Sequence, residues 1–152
     1  MRLILSIIPL ILIIIQNNAR AHCQIPCGIY EDSMRIEMIN EHITTIEKSM
    51  NKINELSDEG EKNYNQIVRW VMNKEEHASA IQTIVNEYFI IQRIKPVDPE
   101  NDHLYEHYTE HLVNLHHISF YAMKCKQTTD LENVVKLKDA VTTFSAGYFH
   151  SH

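Results

Sequence analysis

Apolar residues recur at alternating intervals of three and four along four long stretches of this chain, with almost no glycine or proline to interrupt them. That pattern allows few folds. Ile39, Ile43, Ile46, Met50 and Ile53 are spaced 4, 3, 4 and 3, which puts them on one face of a helix. With 3 glycines and 4 prolines in 152 residues, a collagen-like chain, low-complexity disorder and a many-turned β-sandwich are all excluded. No strand is required, and no internal repeat or second domain is visible. The fold class expected is all-α: an antiparallel four-helix bundle, preceded by a short N-terminal segment outside the helices.

The first helix is predicted from Ser33 to Leu56, with Asp32 or Ser33 placed to cap it and Ser57-Asp58-Glu59-Gly60 as the turn that ends it. A second runs from Glu61 to Arg93 on Tyr64, Ile67, Val68, Val71, Ala78, Ile81, Val85 and Tyr88. It is long enough to leave room for a kink near Asn73, and Pro96 and Pro99 stop it. A third starts at Asp98-Pro99 and continues to Cys125 on Leu104, Tyr108, Leu112, Leu115, Ile118 and Ala122. A fourth opens on Thr129 and Glu132 as a capping box and carries Leu131, Val134, Val135, Val141 and Phe144. Gly147 to His152 is expected to be a frayed tail.

Residues 1–21 have a different composition. Arg2 gives a positive start, Leu3 to Ile15 is an aliphatic run broken only by Ser6 and Pro9, and Ala19-Arg20-Ala21 places small residues at the −3 and −1 positions of a cleavage site. This is the three-part pattern of a secretory signal peptide, with an uncleaved anchor as the alternative. The apolar run of 13 residues falls short of the roughly 20 needed to span a bilayer. Cleavage after Ala21 leaves one domain, 22–152, of 131 residues, enough for a single core, and no stable membrane anchor. An exported protein is therefore expected, extracellular or in a periplasmic or lumenal space. Loss of Arg2 and Arg20 takes the formal charge from −6 to −8, and with no basic block present nucleic acid is not an expected partner.

Cleavage also has a chemical consequence. It gives His22 a free α-amine, and the mature chain begins His22-Cys23-Gln24-Ile25-Pro26-Cys27-Gly28-Ile29-Tyr30. In an exported chain Cys23 and Cys27 can close a disulfide, but the loop between them is small and Cys125 makes the cysteine count odd. The alternative is a metal. The His22 amine, the deprotonated Cys23 peptide nitrogen and the Cys23 and Cys27 thiolates form a planar N₂S₂ set, to which the His22 imidazole adds an axial nitrogen. Tetragonal N,S coordination suits nickel(II) or copper(II) rather than tetrahedral zinc. Anionic thiolate and amide donors bring a higher oxidation state within reach, which points to one-electron chemistry on a small molecule.

The pattern His-Cys-x-x-Pro-Cys-Gly-x-Tyr at a processed N-terminus resembles the nickel-binding hook of the nickel superoxide dismutases and is complete here at every fixed position. Arg35-Ile36-Glu37 and Tyr88-Phe89 extend the resemblance into the helices. The resemblance implies disproportionation of superoxide to oxygen and hydrogen peroxide, with one nickel ion per subunit cycling between Ni(II) and Ni(III). It implies His22, Cys23 and Cys27 as metal ligands, the imidazole binding only the oxidised state. It places Tyr30 at the open face as the catalytic side chain that orders water and excludes larger anions. Glu37 becomes the acidic partner of the His22 ring, across a one-residue gap between Tyr30 and Glu37, and Tyr88 a further tyrosine behind the metal. A homohexamer of four-helix bundles is implied as well. Two positions depart from the family: Gln24 stands where an acidic residue is frequent, and His77 lies where bacterial members lead one to expect arginine.

Three further features were weighed. His103, His107 and His111 recur every four residues on one helix face, where two of them could hold zinc or copper, although exposed histidines on a helix are commoner than ligands. Cys125 lies between Lys124 and Lys126, which could lower its pKa, or it is a plain packing thiol. Two rival functions share the same residues: a secreted nickel or copper carrier without turnover, and a metal-free bundle with Cys23 and Cys27 in a disulfide.

Overall fold

The computed structural model describes residues 28–59 and 61–150. His22, Cys23 and Cys27, and the whole of the 1–21 segment, lie outside the described residues. Four helices carry the fold: α1 (Glu31–Asp58), α2 (Tyr64–Thr83), α3 (Asp102–Gln127) and α4 (Glu132–His150). A short 3₁₀ turn, Glu61–Asn63, precedes α2, and a π-helical segment, Ile84–Arg93, continues it. Each helix packs against the one before and after it, and α4 closes back onto α1, as an up-down-up-down bundle requires.

The core is built from the predicted stripes. Ile39, Ile43, Ile46 and Met50 of α1 are fully buried, as are Leu115, Ile118 and Ala122 of α3 and Val134 and Phe144 of α4. The predicted second stripe contributes only in its later half. Ala78, Ile81, Val85 and Tyr88 are buried, whereas Tyr64, Val68 and Val71 face outward. Leu104, Leu131 and Val135 are likewise exposed. Tyr64, Val68 and Leu104 lie towards the starts of their helices, Leu131 precedes α4, and Val135, between the fully buried Val134 and Leu137, faces away from the core; local period alone does not show which apolar residues meet a neighbour.

Helix boundaries differ from expectation wherever a polar side chain is committed elsewhere. Neither Asp32 nor Ser33 caps α1: the helix starts after Tyr30 without a side-chain cap, and Asp32 lies inside the first turn. The third helix starts at Asp102, not at Asp98-Pro99, because Asp98 closes its own turn by accepting from the Glu100 amide at 3.0 Å. Asn101 is the cap of α3, accepting from the Leu104 amide at 3.4 Å. Before α4, Asp130 rather than Thr129 accepts from the Glu132 amide, at 3.0 Å. The kink expected near Asn73 is absent: α2 is continuous there, and Asn73 Nδ2 donates to Ser49 Oγ of α1 at 3.0 Å. The departure from α-helical geometry comes instead at Ile84. The stretch from Gly147 to His150 is ordered helix rather than frayed tail, and it buries Tyr148.

Lys74 is a buried cation with a structural task. Its Nζ donates to the carbonyls of Cys125, Lys126 and Thr128 at 2.7, 2.5 and 3.1 Å, so α2 supplies the cap for the C-terminus of α3. A positive charge there also complements the α3 dipole. Burial lowers the Lys74 pKa, opposed by Glu75. Cys125 lies beneath this cap with no exposed surface, and burial pushes its thiol up to about 11. Of the two readings the packing one holds: the charge that opposes burial is Lys74, not Lys124 or Lys126, and burial outweighs it. Cys125 is a packing thiol.

His42 of α1 and His77 of α2 meet Nδ1 to Nδ1 at 2.8 Å, one ring donating to the other. Burial and the His77 charge lower the His42 pKa from its usual 6.5, with Glu41 opposing. The folded state therefore prefers neutral His42. Its contribution to stability is complete above about pH 6.5 and is lost as pH falls below that value towards the depressed folded pKa. Urea midpoints at pH 7.5 and 5.5 should fall more for the natural chain than for His42→Gln; equal falls would show that this pair carries none of the acid sensitivity.

Candidate metal centre

The centre is built outward from Gly28, the residue that follows Cys27. Gly28 has φ +59°, and the Glu31 amide donates back to the Gly28 carbonyl at 3.3 Å, which turns the chain into α1. Glu31 itself has φ 67°, unusual for a residue with a side chain. A Cβ on Gly28 would lie 1.9 Å from Arg93 Nη2 and 2.9 Å from Tyr88 Oη. Glycine is required here for two independent reasons, the backbone angle and the close approach of two polar side chains.

Those side chains belong to a cluster drawn from three elements. Asp32 of α1 accepts from three donors: Tyr88 Oη, Tyr148 Oη at 2.6 Å and Arg93 Nε at 2.8 Å. Arg93 Nη2 also donates to Tyr88 Oη at 2.8 Å, and its guanidinium lies 4.4 Å from the Tyr88 ring centroid. Arg35 approaches the same ring at 4.9 Å. The π segment makes this arrangement possible. In an α-helix residues 88 and 93 would diverge by about 140°; the i→i+5 closure of a π-helix brings them to one side. The Ile94 amide bonding to the Phe89 carbonyl at 2.9 Å is one such closure.

The charges are settled by these contacts. Burial pushes the Asp32 pKa up, but the hydrogen bonds from Tyr148, Tyr88 and Arg93 together with the Arg93 charge outweigh it, and the carboxyl is held below its ordinary 3.8. Burial first, and the Asp32 bond second, raise both Tyr88 and Tyr148. At neutral pH the two hydroxyls are thus protonated donors. They hold Asp32, which in turn holds Arg93 beside Gly28; they are not poised to release protons.

An open groove of about 1120 Å³ adjoins the cluster, between the first turn of α1, residues 92–97, the start of α3 and the end of α4. Arg93, Lys95, His103, His107 and His111 are among the residues on its walls. The three histidines do share this side of α3, but unequally: His111 is buried against Phe144 and Tyr148, while His103 and His107 are side by side at the surface, ring centroids 4.8 Å apart. No group of three His, Cys, Asp or Glu side chains able to hold a metal exists among the described residues.

Of the expected site residues, Tyr88 is fully buried and reaches the Gly28 turn through its hydroxyl. Tyr30 is 69% exposed, two residues beyond Gly28. Glu37 is exposed on α1 and is not part of the cluster; the carboxylate there is Asp32. Asp32, Arg93 and Tyr148 were not foreseen. They are separated by 56 to 116 residues along the chain from their partners, or joined through the π segment, and no local pattern marks them.

A family model, that of nickel-containing superoxide dismutase, matches residues 17–152, which covers the hook and every helix. The chain belongs to the nickel-containing superoxide dismutases. Comparison with curated proteins and with solved structures finds no match. As a nickel superoxide dismutase it is an oxidoreductase that disproportionates superoxide on nickel, and the four antiparallel helices agree with the fold expected from the resemblance. His22, Cys23 and Cys27 are of residue types whose nitrogen and sulfur donors would suit a tetragonal ion. Gly28, one residue after Cys27, is closely packed by Arg93 and Tyr88, which is compatible with a built site there.

Proposed function

We propose that the mature enzyme begins at His22, and that the His22 amine and imidazole, the Cys23 amide nitrogen and the Cys23 and Cys27 thiolates hold one nickel ion per subunit. The observation that carries this reading is the close packing of Arg93 and Tyr88 over Gly28, directly after Cys27 and beside an open groove. Bound nickel supplies a one-electron couple, which suits a reaction that converts two superoxide anions and two protons to oxygen and hydrogen peroxide.

The protein's own residues then have distinct tasks. Asp32 holds Arg93, and Arg93 with Tyr88 fixes the turn from which the hook departs. Tyr30 orders water at the open face and restricts it to small anions. Glu37 partners the His22 ring. Lys95, exposed on the groove wall, adds positive charge near the entrance of a mature chain whose formal charge falls from −6 to −8 on loss of Arg2 and Arg20; screening confines the long-range repulsion to about 8 Å at physiological salt. Export by cleavage of residues 1–21 frees the amine that the site needs, and among the described residues no helix is long and apolar enough to cross a membrane. Assembly as a homohexamer is supported by exposed apolar residues on α2, Tyr64, Val68 and Met72.

The test is made on protein purified from its natural export route. Intact mass, nickel content and superoxide decay are measured on one sample. A chain starting at His22, carrying about one nickel and consuming superoxide, is the expected result. A chain starting elsewhere, or one that binds nickel without turnover, would remove this assignment of the site and leave the carrier or the metal-free bundle.

A further inference from the structure

We propose that His103 and His107 form a second, exchangeable nickel site on the groove wall, which captures the ion before it reaches the hook. The delivery role rests on the hook reading above; the binding itself does not. Residues four apart on a helix are surface neighbours, about 5–6 Å between Cβ atoms. Here the two rings are already paired, centroids 4.8 Å apart, and one ion can join a nitrogen from each. Imidazole is a good ligand for nickel, copper and zinc.

The Nδ1 of His107 lies 4.0 Å from Glu110 Oε2, so a carboxylate stands beside the pair at ion-pair distance and adds negative charge there. The helix N-terminus works against a cation by about 0.3–1 kcal/mol. Asp102, Glu106 and Glu110 on the same two turns supply three negative charges that oppose it. Two imidazoles with water in the remaining positions hold an ion that exchanges, which fits capture and transfer rather than storage. The location fits as well, because one groove is lined both by this pair and by the Asp32–Arg93 pair that anchors Gly28.

The experiment uses nickel(II) chloride and the full mature chain with His22→Ala, Cys23→Ala and Cys27→Ala, so that the imidazole and both thiolates of the hook are gone. Calorimetric titration is expected to show one ion per chain, and adding His103→Gln and His107→Gln should weaken binding at least tenfold. Both histidines lie at the surface, and unchanged helicity would confirm an intact fold. Undiminished binding in the quintuple variant would overturn the site. In the chain with an intact hook, His103→Gln/His107→Gln should slow nickel uptake several-fold at limiting nickel while activity per bound nickel stays the same. An unchanged uptake rate would overturn the delivery role.

Discussion

Asp32→Ala is expected to destabilise the bundle by about 3 kcal/mol, the low end of the range for breaking a buried ion pair from one side. The low end applies because Asp32 and Arg93 keep 24% and 27% of their side chains exposed. The substitution strands three donors at once: the Arg93 guanidinium and the hydroxyls of Tyr88 and Tyr148. In a chain of this length the melting midpoint should drop on the order of 10 °C. The loss must also depend on pH. The folded carboxyl is held below 3.8, so its contribution is present above that value and disappears as pH falls through the folded pKa. Natural protein and Asp32→Ala should therefore converge in stability in strong acid. A constant difference from pH 7 down to pH 2, or a midpoint within 2 °C of the natural chain at pH 7, would show that the cluster does not hold α1, α4 and the π segment together.

Gly28→Ala is expected to reduce nickel affinity and activity at least tenfold with a much smaller effect on the helices. A single methyl group meets two obstacles. Left-handed backbone costs a residue with a side chain roughly 1–2 kcal/mol, and the new Cβ would fall 1.9 Å from Arg93 Nη2. The chain must shift or Arg93 must leave Asp32, and either change moves the residue next to the Cys27 thiolate. A tenfold loss corresponds to about 1.4 kcal/mol, which the backbone cost alone approaches. Nickel content after dialysis against a weak chelator, together with far-ultraviolet circular dichroism, separates a displaced hook from an unfolded bundle. Natural nickel retention in Gly28→Ala would sink the view that this turn positions the metal.

The two outcomes together explain how much of the site could be read from residues alone. The motif that carries the family resemblance is contiguous, nine residues from His22 to Tyr30, so the metal and the reaction class were legible. Tyr88 was legible through the family resemblance. Asp32 was misread as a cap, because an acidic residue at a helix start has a local use that usually suffices. Here three donors from distant parts of the chain compete for it and win. Tyr148 was lost in a segment that looked like a fraying tail, since nothing near it reveals that its ring packs against Phe89 and Phe144.

Sequence by itself determined the four-helix class, the apolar faces and the chemistry of the hook, because each depends on residues within a few turns or a few bonds of one another. Tertiary structure alone decided where those faces meet, which outward apolar residues are left over, and what packs against the Gly28 turn. The change to π-helical geometry at Ile84 illustrates the reason: it brings Arg93 beside Tyr88 and Asp32, and its stability comes from contacts with α1 and α4 that no local window contains.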